Sequence, residues 1–354
     1  MGSINSLIRR NIRKMKPYSS ARDEFEGEAA VFLDANENPY FGPLNRYPDP
    51  QQRKLKKVIS AIKSLPGDMI FLGNGSDEAI DILIRAFCEP GRENIVSVDP
   101  TYGMYEVTAA INGVDYRKVQ LGEEFRLDEE ALRQQVDSST KIIFLCSPNN
   151  PTGNSIEESA IKSILKWFNG ILVIDEAYID FSEKPGLIDE IVRSPRLVVL
   201  QTLSKAWGRA GIRLGMAFGN ADTVSVMNKI KPPYNVNSLT MQEALATFSR
   251  KDEKNSRVKE LVASRSMLGR EFGKLKSVLK VYPSDANFLL IRVDDAARMY
   301  RYLASSGIIV RNRSGAAGCD NCLRITVGTA EENNKLLEAM KEYEDAVTDR
   351  TARK

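Results

Sequence analysis

The sequence predicts an α/β protein: a large domain with a mostly parallel central sheet wrapped by helices, plus a smaller α+β domain. Three observations carry this. Apolar runs of strand length, Ile95-Val96-Ser97-Val98, Ile142-Ile143-Phe144-Leu145, Ile171-Leu172-Val173-Ile174, Leu197-Val198-Val199-Leu200 and Gly215-Met216-Ala217-Phe218, recur between helical stretches, the order that builds parallel sheets covered by helices. Ile80, Leu83, Ile84 and Phe87 fall on one helical face, as in a helix laid on such a sheet. Beyond about residue 270, strand runs such as Ala286–Val293 and Leu323–Val327 alternate with helical stretches, which marks a second, smaller unit. The expected division is an arm over 1–30, a large domain over 31–265 and a small domain over 266–354.

Composition bounds the function. A chain of 354 residues, 42% hydrophobic, can bury a large core. Its formal net charge of +3 is small, and no basic run is interleaved with aromatics, so neither nucleic acid nor membrane is an expected partner. The start is basic, with Arg9, Arg10, Arg13, Lys14 and Lys16, and has no continuous apolar segment of the secretory kind; a cytoplasmic protein is expected. Histidine is absent, which excludes a histidine base, a Ser-His-Asp triad and most transition-metal sites, leaving proton transfer to Lys, Tyr or a carboxylate. Four cysteines fit a reducing compartment. Cys319 and Cys322 form a C-x-x-C, but the other two cysteines lie far off in sequence, and no metal is expected.

The chemistry concentrates at two strand ends. The Leu197–Leu200 run leads into Thr202-Leu203-Ser204-Lys205, with Arg213 eight positions on; the Ile171–Ile174 run delivers Asp175 and then Tyr178. Open α/β sheets place their ligands at such carboxyl ends. Lysine, aspartate and tyrosine are the three side chains that pyridoxal phosphate requires: imine partner, pyridinium counter-ion and donor to the ring oxygen. Singly, each has a plainer reading, the lysine as a surface charge and the aspartate as a helix cap. Their joint spacing on two buried strands favours the cofactor. A helix opening at Gly75-Ser76-Asp77 offers free amides and a positive dipole end to a phosphate; an ordinary N-cap is the alternative, and Ser204 and Arg213 tilt the reading towards the dianion.

From about Pro17 to Thr329 the chain resembles the fold type I PLP-dependent aminotransferases, and within them the histidinol-phosphate aminotransferase family. The resemblance rests on Pro17-Tyr18-Ser19-Ser20-Ala21-Arg22, Leu33-Asp34-Ala35-Asn36-Glu37-Asn38-Pro39, Arg46-Tyr47-Pro48, Gly73-Asn74-Gly75-Ser76-Asp77-Glu78, Ser147-Pro148-Asn149-Asn150-Pro151-Thr152-Gly153 and Asp175-Glu176-Ala177-Tyr178. The narrower family is indicated by Arg85–Gly91, by Thr101-Tyr102-Gly103-Met104-Tyr105 and by Leu323-Arg324-Ile325-Thr326-Val327-Gly328-Thr329. The Asn312-to-Asn321 loop is where the chain looks least like it.

The resemblance implies roles residue by residue. Lys205 holds the cofactor as a Schiff base and then carries the proton between substrate and cofactor. Asp175 keeps the pyridine nitrogen protonated, because a nearby carboxylate favours the cation. Tyr178 and Asn150 hydrogen-bond the ring oxygen, and Tyr102 stacks on the ring. Gly75, Ser76, Asp77, Ser204 and Arg213 line the phosphate end, Asp77 through its amide, with Tyr47 reaching over from the other subunit of a homodimer. Arg324 and Arg311, helped by Tyr18 and Asn36, meet the substrate; for Arg311 a solvated loop charge is the alternative, since Arg313 is an equally basic neighbour. The arm over 1–30 is expected to join the small domain. The implied reaction is reversible transfer of an amino group between L-histidinol phosphate and 2-oxoglutarate, giving imidazole acetol phosphate and glutamate. A threonine-phosphate decarboxylase or a broad aromatic aminotransferase is the alternative within this chemistry, and a non-catalytic regulatory protein the alternative outside it.

Overall fold

The computed structural model describes residues 4–25 and 30–352. Its larger sheet has seven strands in the order β1-β7-β6-β5-β4-β2-β3: β1 Ile70–Asn74, β2 Asn94–Asp99, β3 Asp115–Gln120, β4 Thr140–Cys146, β5 Ile171–Asp175, β6 Leu197–Thr202 and β7 Leu214–Gly219. β2 to β6 pair in parallel, while β7 lies antiparallel between β1 and β6. The central strands read as unbroken apolar runs because both sheet faces are covered. Ile143, Leu145, Leu172, Ile174 and Val199 point into one core with Leu55, Ile59 and Ile164. Ile142, Phe144, Val173, Val198 and Leu200 point into the other with Ile80, Leu83 and Phe87.

The smaller sheet is antiparallel, in the order β10-β11-β9-β8: β8 Val278–Val281, β9 Phe288–Val293, β10 Arg311–Asn312 and β11 Cys322–Thr326. Helices Lys251–Phe272, Ala296–Ser305 and Ala330–Ala352 accompany it, and Leu268, Phe272, Ile291, Met299, Leu303, Leu323 and Met340 form its core. The first of these helices runs straight through residue 265, so one continuous rod links the two units.

The N-terminal arm departs from expectation. Its first described turn does not join the small domain: Ile4 and Ile8, four residues apart, are buried in the large-domain core beside Phe87, Val224 and Met227. The Arg9 amide donates to the Ala86 carbonyl at 3.0 Å, and Lys229 Nζ donates to the Arg13 carbonyl at 3.2 Å. The apolar pair finds an open hydrophobic seam between helices Gly75–Phe87 and Ala221–Ile230, and burying two isoleucines there contributes about 3–5 kcal/mol before ordering costs.

Candidate active site

The carboxyl ends of β1, β4, β5 and β6 share one rim, and β7, running the opposite way, brings its amino end to the same place. That reversal is what sets Arg213 beside Gly75: the Gly75 amide donates to the Arg213 carbonyl at 2.8 Å. A cleft of about 610 Å³ opens there, lined by Gly75, Ser76, Asp77, Tyr102, Asn150, Asp175, Tyr178, Ser204, Lys205 and Arg213 from the large domain, and by Arg311, Arg313 and Arg324 from the small one. Residues as distant in sequence as Gly75, just past the end of β1, and Arg324, in the middle of β11, line the same cleft.

Asp175 sits at the bottom, 3% exposed. Its Oδ2 accepts from the Tyr105 hydroxyl at 2.8 Å and its Oδ1 from the Ala177 amide at 3.1 Å. Burial pushes its carboxyl up to about 6, with the Tyr105 and Ala177 hydrogen bonds opposing. Lys205 opens towards the cleft mouth, its Nζ 5.4 Å from the centre of the Tyr178 ring. Desolvation by the cleft walls and then the Arg324 charge lower its pKa, while Asp175 works the other way; a lowered lysine is a better nucleophile near neutrality. Tyr178 packs edge-on against Phe288 at 5.2 Å, and no hydrogen bond among the described residues occupies its hydroxyl. Beneath the cleft lies Cys146, buried and with its thiol donating to the Pro148 carbonyl.

The start of helix Gly75–Phe87 forms a cradle. Its N-cap, Asn74, makes no side-chain cap, which leaves the Ser76 and Asp77 amides for another acceptor. Gly75 has φ +74°, and a Cβ there would lie 2.5 Å from Arg213 Nη2; a Cβ on Gly215 would lie 2.1 Å from the Gly75 carbonyl carbon and the Ser76 nitrogen. Both glycines are therefore required for β7 to press this closely on the helix start. The Asp77 carboxylate turns aside, taking the Tyr102 hydroxyl at 2.9 Å and Arg213 at 3.4 Å. Ser204 completes the cradle, its amide donating to Thr202 Oγ1 at 3.1 Å. An amine of lowered pKa, a buried carboxylate and free helix-start amides beside Arg213, all in one cleft, fit the imine, pyridinium and phosphate groups of pyridoxal phosphate.

Three arginines close the cleft on the small-domain side. Arg311 of β10 and Arg324 of β11 are direct cross-strand partners, a like-charge pairing that is unfavourable without an anion. Arg324 Nη1 donates to Asn150 Oδ1 at 2.5 Å, and the Arg324 guanidinium lies 5.4 Å from the Phe288 ring centre. Among the described residues, no carboxylate forms an ion pair with Arg311, Arg313 or Arg324. Burial lowers the pKa of Arg324 and of Arg313, the latter further depressed by Arg311.

Three expected site residues do not line this chain's own cleft. Tyr47 stacks on Tyr234 at 4.4 Å and, with Asn36, lines a separate cavity of about 450 Å³; Tyr18 is 71% exposed. Tyr18 and Asn36 thus lie outside the cleft of their own chain. The cause is a knot around Glu37, whose carboxylate takes Arg22 at 2.7 Å and Arg46 at 2.8 Å and holds the segment away from the cleft. Two residues were named in the sequence reading without a role at the site. Arg313 lines the cleft with Arg311 and Arg324, and Tyr105 braces Asp175; the latter's signal was its position three after Tyr102, in the first turn of helix Met104–Ile111. The four cysteines are free and buried, and no cluster of three or more His, Cys, Asp or Glu suited to a metal occurs among the described residues. No helix among them is long and apolar enough to cross a membrane.

Fold and cleft together define a fold type I transaminase. The family model described as "Aminotransferase class I and II" matches residues 28–340. Histidinol-phosphate aminotransferase of Bacteroides thetaiotaomicron is 55% identical over 345 residues, 97% of this chain and 100% of the relative; that of Parabacteroides distasonis is 55% identical over 341 residues, 96% and 99%. Among solved structures, the histidinol-phosphate aminotransferase from Clostridium acetobutylicum superposes with TM-score 0.79 at 26% identity, over 86% of this chain and 92% of that one. The chain belongs to the aminotransferase class I and II family and, within it, to the histidinol-phosphate aminotransferases.

Proposed function

We propose that the cleft carries out reversible transamination between L-histidinol phosphate and 2-oxoglutarate, giving imidazole acetol phosphate and glutamate, with pyridoxal phosphate held through Lys205. The observation that carries this is the meeting of Lys205, Asp175 and Tyr178 in one cleft with three arginines that have no ion pair among the described residues. When bound, the cofactor supplies an electron sink for the pair released as a proton leaves the substrate carbon. Lys205 Nζ takes that proton and returns it, the one base here both mobile and of lowered pKa. Asp175 holds a proton on the pyridine nitrogen, Tyr178 Oη and Asn150 Nδ2 serve the ring oxygen, and Tyr102 covers the ring face. Ser76, Asp77, Ser204 and Arg213 hold the phosphate end.

Arg324 and Arg311 bind the substrate anions, since a guanidinium fork suits both the phosphate of histidinol phosphate and the carboxylate of glutamate; Arg313 is the third member of the set. Tyr47, Tyr18 and Asn36 serve the cleft of a second copy in a homodimer. Support comes from the exposed apolar residues of the same segment, Leu33, Tyr40, Phe41 and Leu44, which a partner would cover. We place the reaction in the cytoplasm, where thiols such as those of Cys88 and Cys146 stay reduced.

The experiment is borohydride reduction of PLP-loaded protein followed by peptide mapping, which should tag Lys205, together with a spectroscopic half-reaction. L-histidinol phosphate should bleach the cofactor's visible band. Carbon dioxide release from O-phosphothreonine would choose the decarboxylase reading, and turnover of phenylalanine without the phosphate ester the broad aminotransferase. An untagged Lys205 would overturn the assignment.

A further inference from the structure

At the opposite end of β1 from the catalytic rim lies a second polar cavity, of about 570 Å³. Gly67 and Asp68, just ahead of β1, form part of it, whereas the far end of that strand leads into Gly75. Helix Arg53–Lys63 presents Arg53, Lys56, Lys57 and Ser60 to it at helical spacing, and helix Ala221–Ile230 presents Ala221, Ser225 and Asn228. Small side chains on the second helix keep the space open.

Lys56 is the unusual member. It is 8% exposed, yet among the described residues no hydrogen bond or ion pair engages its ammonium. Asp49 is committed elsewhere: its Oδ1 takes Arg53 Nη1 at 2.9 Å and its Oδ2 the Arg53 amide at 2.7 Å. Burial and then the neighbouring Lys231 push the Lys56 ammonium down to about 8. Asn228 Oδ1 is also buried without a partner. The surrounding sequence breaks a local rule as well, because the first turns of helix Arg53–Lys63 hold Arg53, Lys54, Lys56 and Lys57 and no acidic residue in the first turn, at the end where the helix dipole disfavours cations. Asp49 and Asp68 attract the Lys56 ammonium without pairing to it, and a buried cation with no ion pair, beside Arg53 and Lys231, costs stability unless something neutralises it.

We infer that this cavity binds a small anion bearing a carboxylate or phosphate group, with Lys56 as the central counter-ion and Arg53 and Lys57 flanking it. Asn228 Oδ1 accepts from a hydroxyl or amine of the same ligand. None of these residues takes part in the transamination cleft, so the ligand is one that does not react, and binding to the folded state alone raises stability with the logarithm of ligand concentration once that exceeds Kd.

The test uses PLP-loaded enzyme with inorganic phosphate, and separately citrate, as probes at constant ionic strength against chloride. Calorimetric titration and thermal unfolding are followed for wild type, Lys56→Met and Lys57→Gln. Phosphate also meets the catalytic arginines, and its inhibition of transamination reports that site independently. Lys56→Met should fold at least as stably as wild type without anion, lose the non-catalytic binding event by tenfold or more, and keep the same inhibition constant. Lys57→Gln should weaken the same event several-fold, and it carries the test if Lys56→Met fails to fold. Equal anion stabilisation of variant and wild type overturns the inference, as does wild type that is stabilised by neither probe.

Discussion

The Tyr105 hydroxyl donates to Asp175 Oδ2 at 2.8 Å, and both groups are buried. In a chain without histidine, this phenol and the Ala177 amide are what fix the carboxylate for which a role at the cofactor nitrogen is proposed. Tyr105 is itself wedged between Phe144, stacked at 4.9 Å, and Tyr102, edge-on at 5.6 Å, so the brace is rigid.

Tyr105→Phe should therefore act through Asp175 rather than on substrate. Losing one hydrogen bond to a buried carboxylate costs about 1–3 kcal/mol. The expected outcome is a fall in kcat of roughly tenfold with KM for histidinol phosphate nearly unchanged. It should come with a shifted pH dependence of the cofactor's visible absorbance, read by spectrophotometric titration. A variant with wild-type absorbance and kcat would show that Tyr105 only fills space.

The cofactor-free protein should lose stability as pH rises from about 4 to 7. Burial holds Asp175 up near 6, and it holds Glu176 near 7 against the opposing Gln201 hydrogen bond. The folded state therefore keeps protons that the unfolded chain releases near pH 4. Asp175→Asn removes one of these charges and should stabilise the cofactor-free protein at pH 8 by on the order of 2 kcal/mol while abolishing transamination. Denaturant titrations at pH 5 and pH 8 check both the slope and its sign.

Arg324→Ala should raise KM for histidinol phosphate and for glutamate together, by roughly 10- to 100-fold, the range for a lost charge-assisted hydrogen bond. Arg311→Ala and Arg313→Ala should raise KM for the phosphate substrate more than for glutamate. Steady-state kinetics with each substrate varied in turn separates the three. An unchanged KM for Arg311→Ala would return that residue to a solvated charge.

Gly215→Ala should weaken the cofactor before it unfolds the domain. The added methyl meets the Gly75 carbonyl carbon and Ser76 nitrogen at 2.1 Å, so the helix start must move away from β7 and from Arg213. Fluorescence titration with pyridoxal phosphate should show affinity reduced roughly tenfold or more, consistent with displaced donors to a dianion.

If Tyr47 serves the opposite subunit, Tyr47→Ala and Lys205→Ala should complement each other. Co-expressed at equal levels, half of the dimers are hybrids with one intact site each, which gives roughly a quarter of wild-type activity. Activity that never exceeds that of either parent would place both residues in the same subunit's site.

The strands and their terminal residues were readable because the signals are local. A buried run such as Ile171–Ile174 must be a covered strand, and the residues just past its end must stand at the rim, so Asp175, Tyr178, Ser204 and Lys205 could be set together before any contact was known. The same locality hid the edges. β3 is mostly exposed, so Asp115–Gln120 shows little apolar pattern, and Gly73 and Gly75 make the end of β1 read as a turn.

Long-range pairing decided the rest. No feature of Leu214–Gly219 says that it enters the sheet backwards, yet that reversal carries Arg213 to the phosphate cradle. The docking of Ile4 and Ile8 on the large domain, the Tyr105 brace and the exclusion of Tyr18 and Asn36 from their own cleft likewise depend on which surfaces meet. Residue type and spacing specify which chemistry a strand end can offer; only the packing of distant elements determines which of those ends face one another.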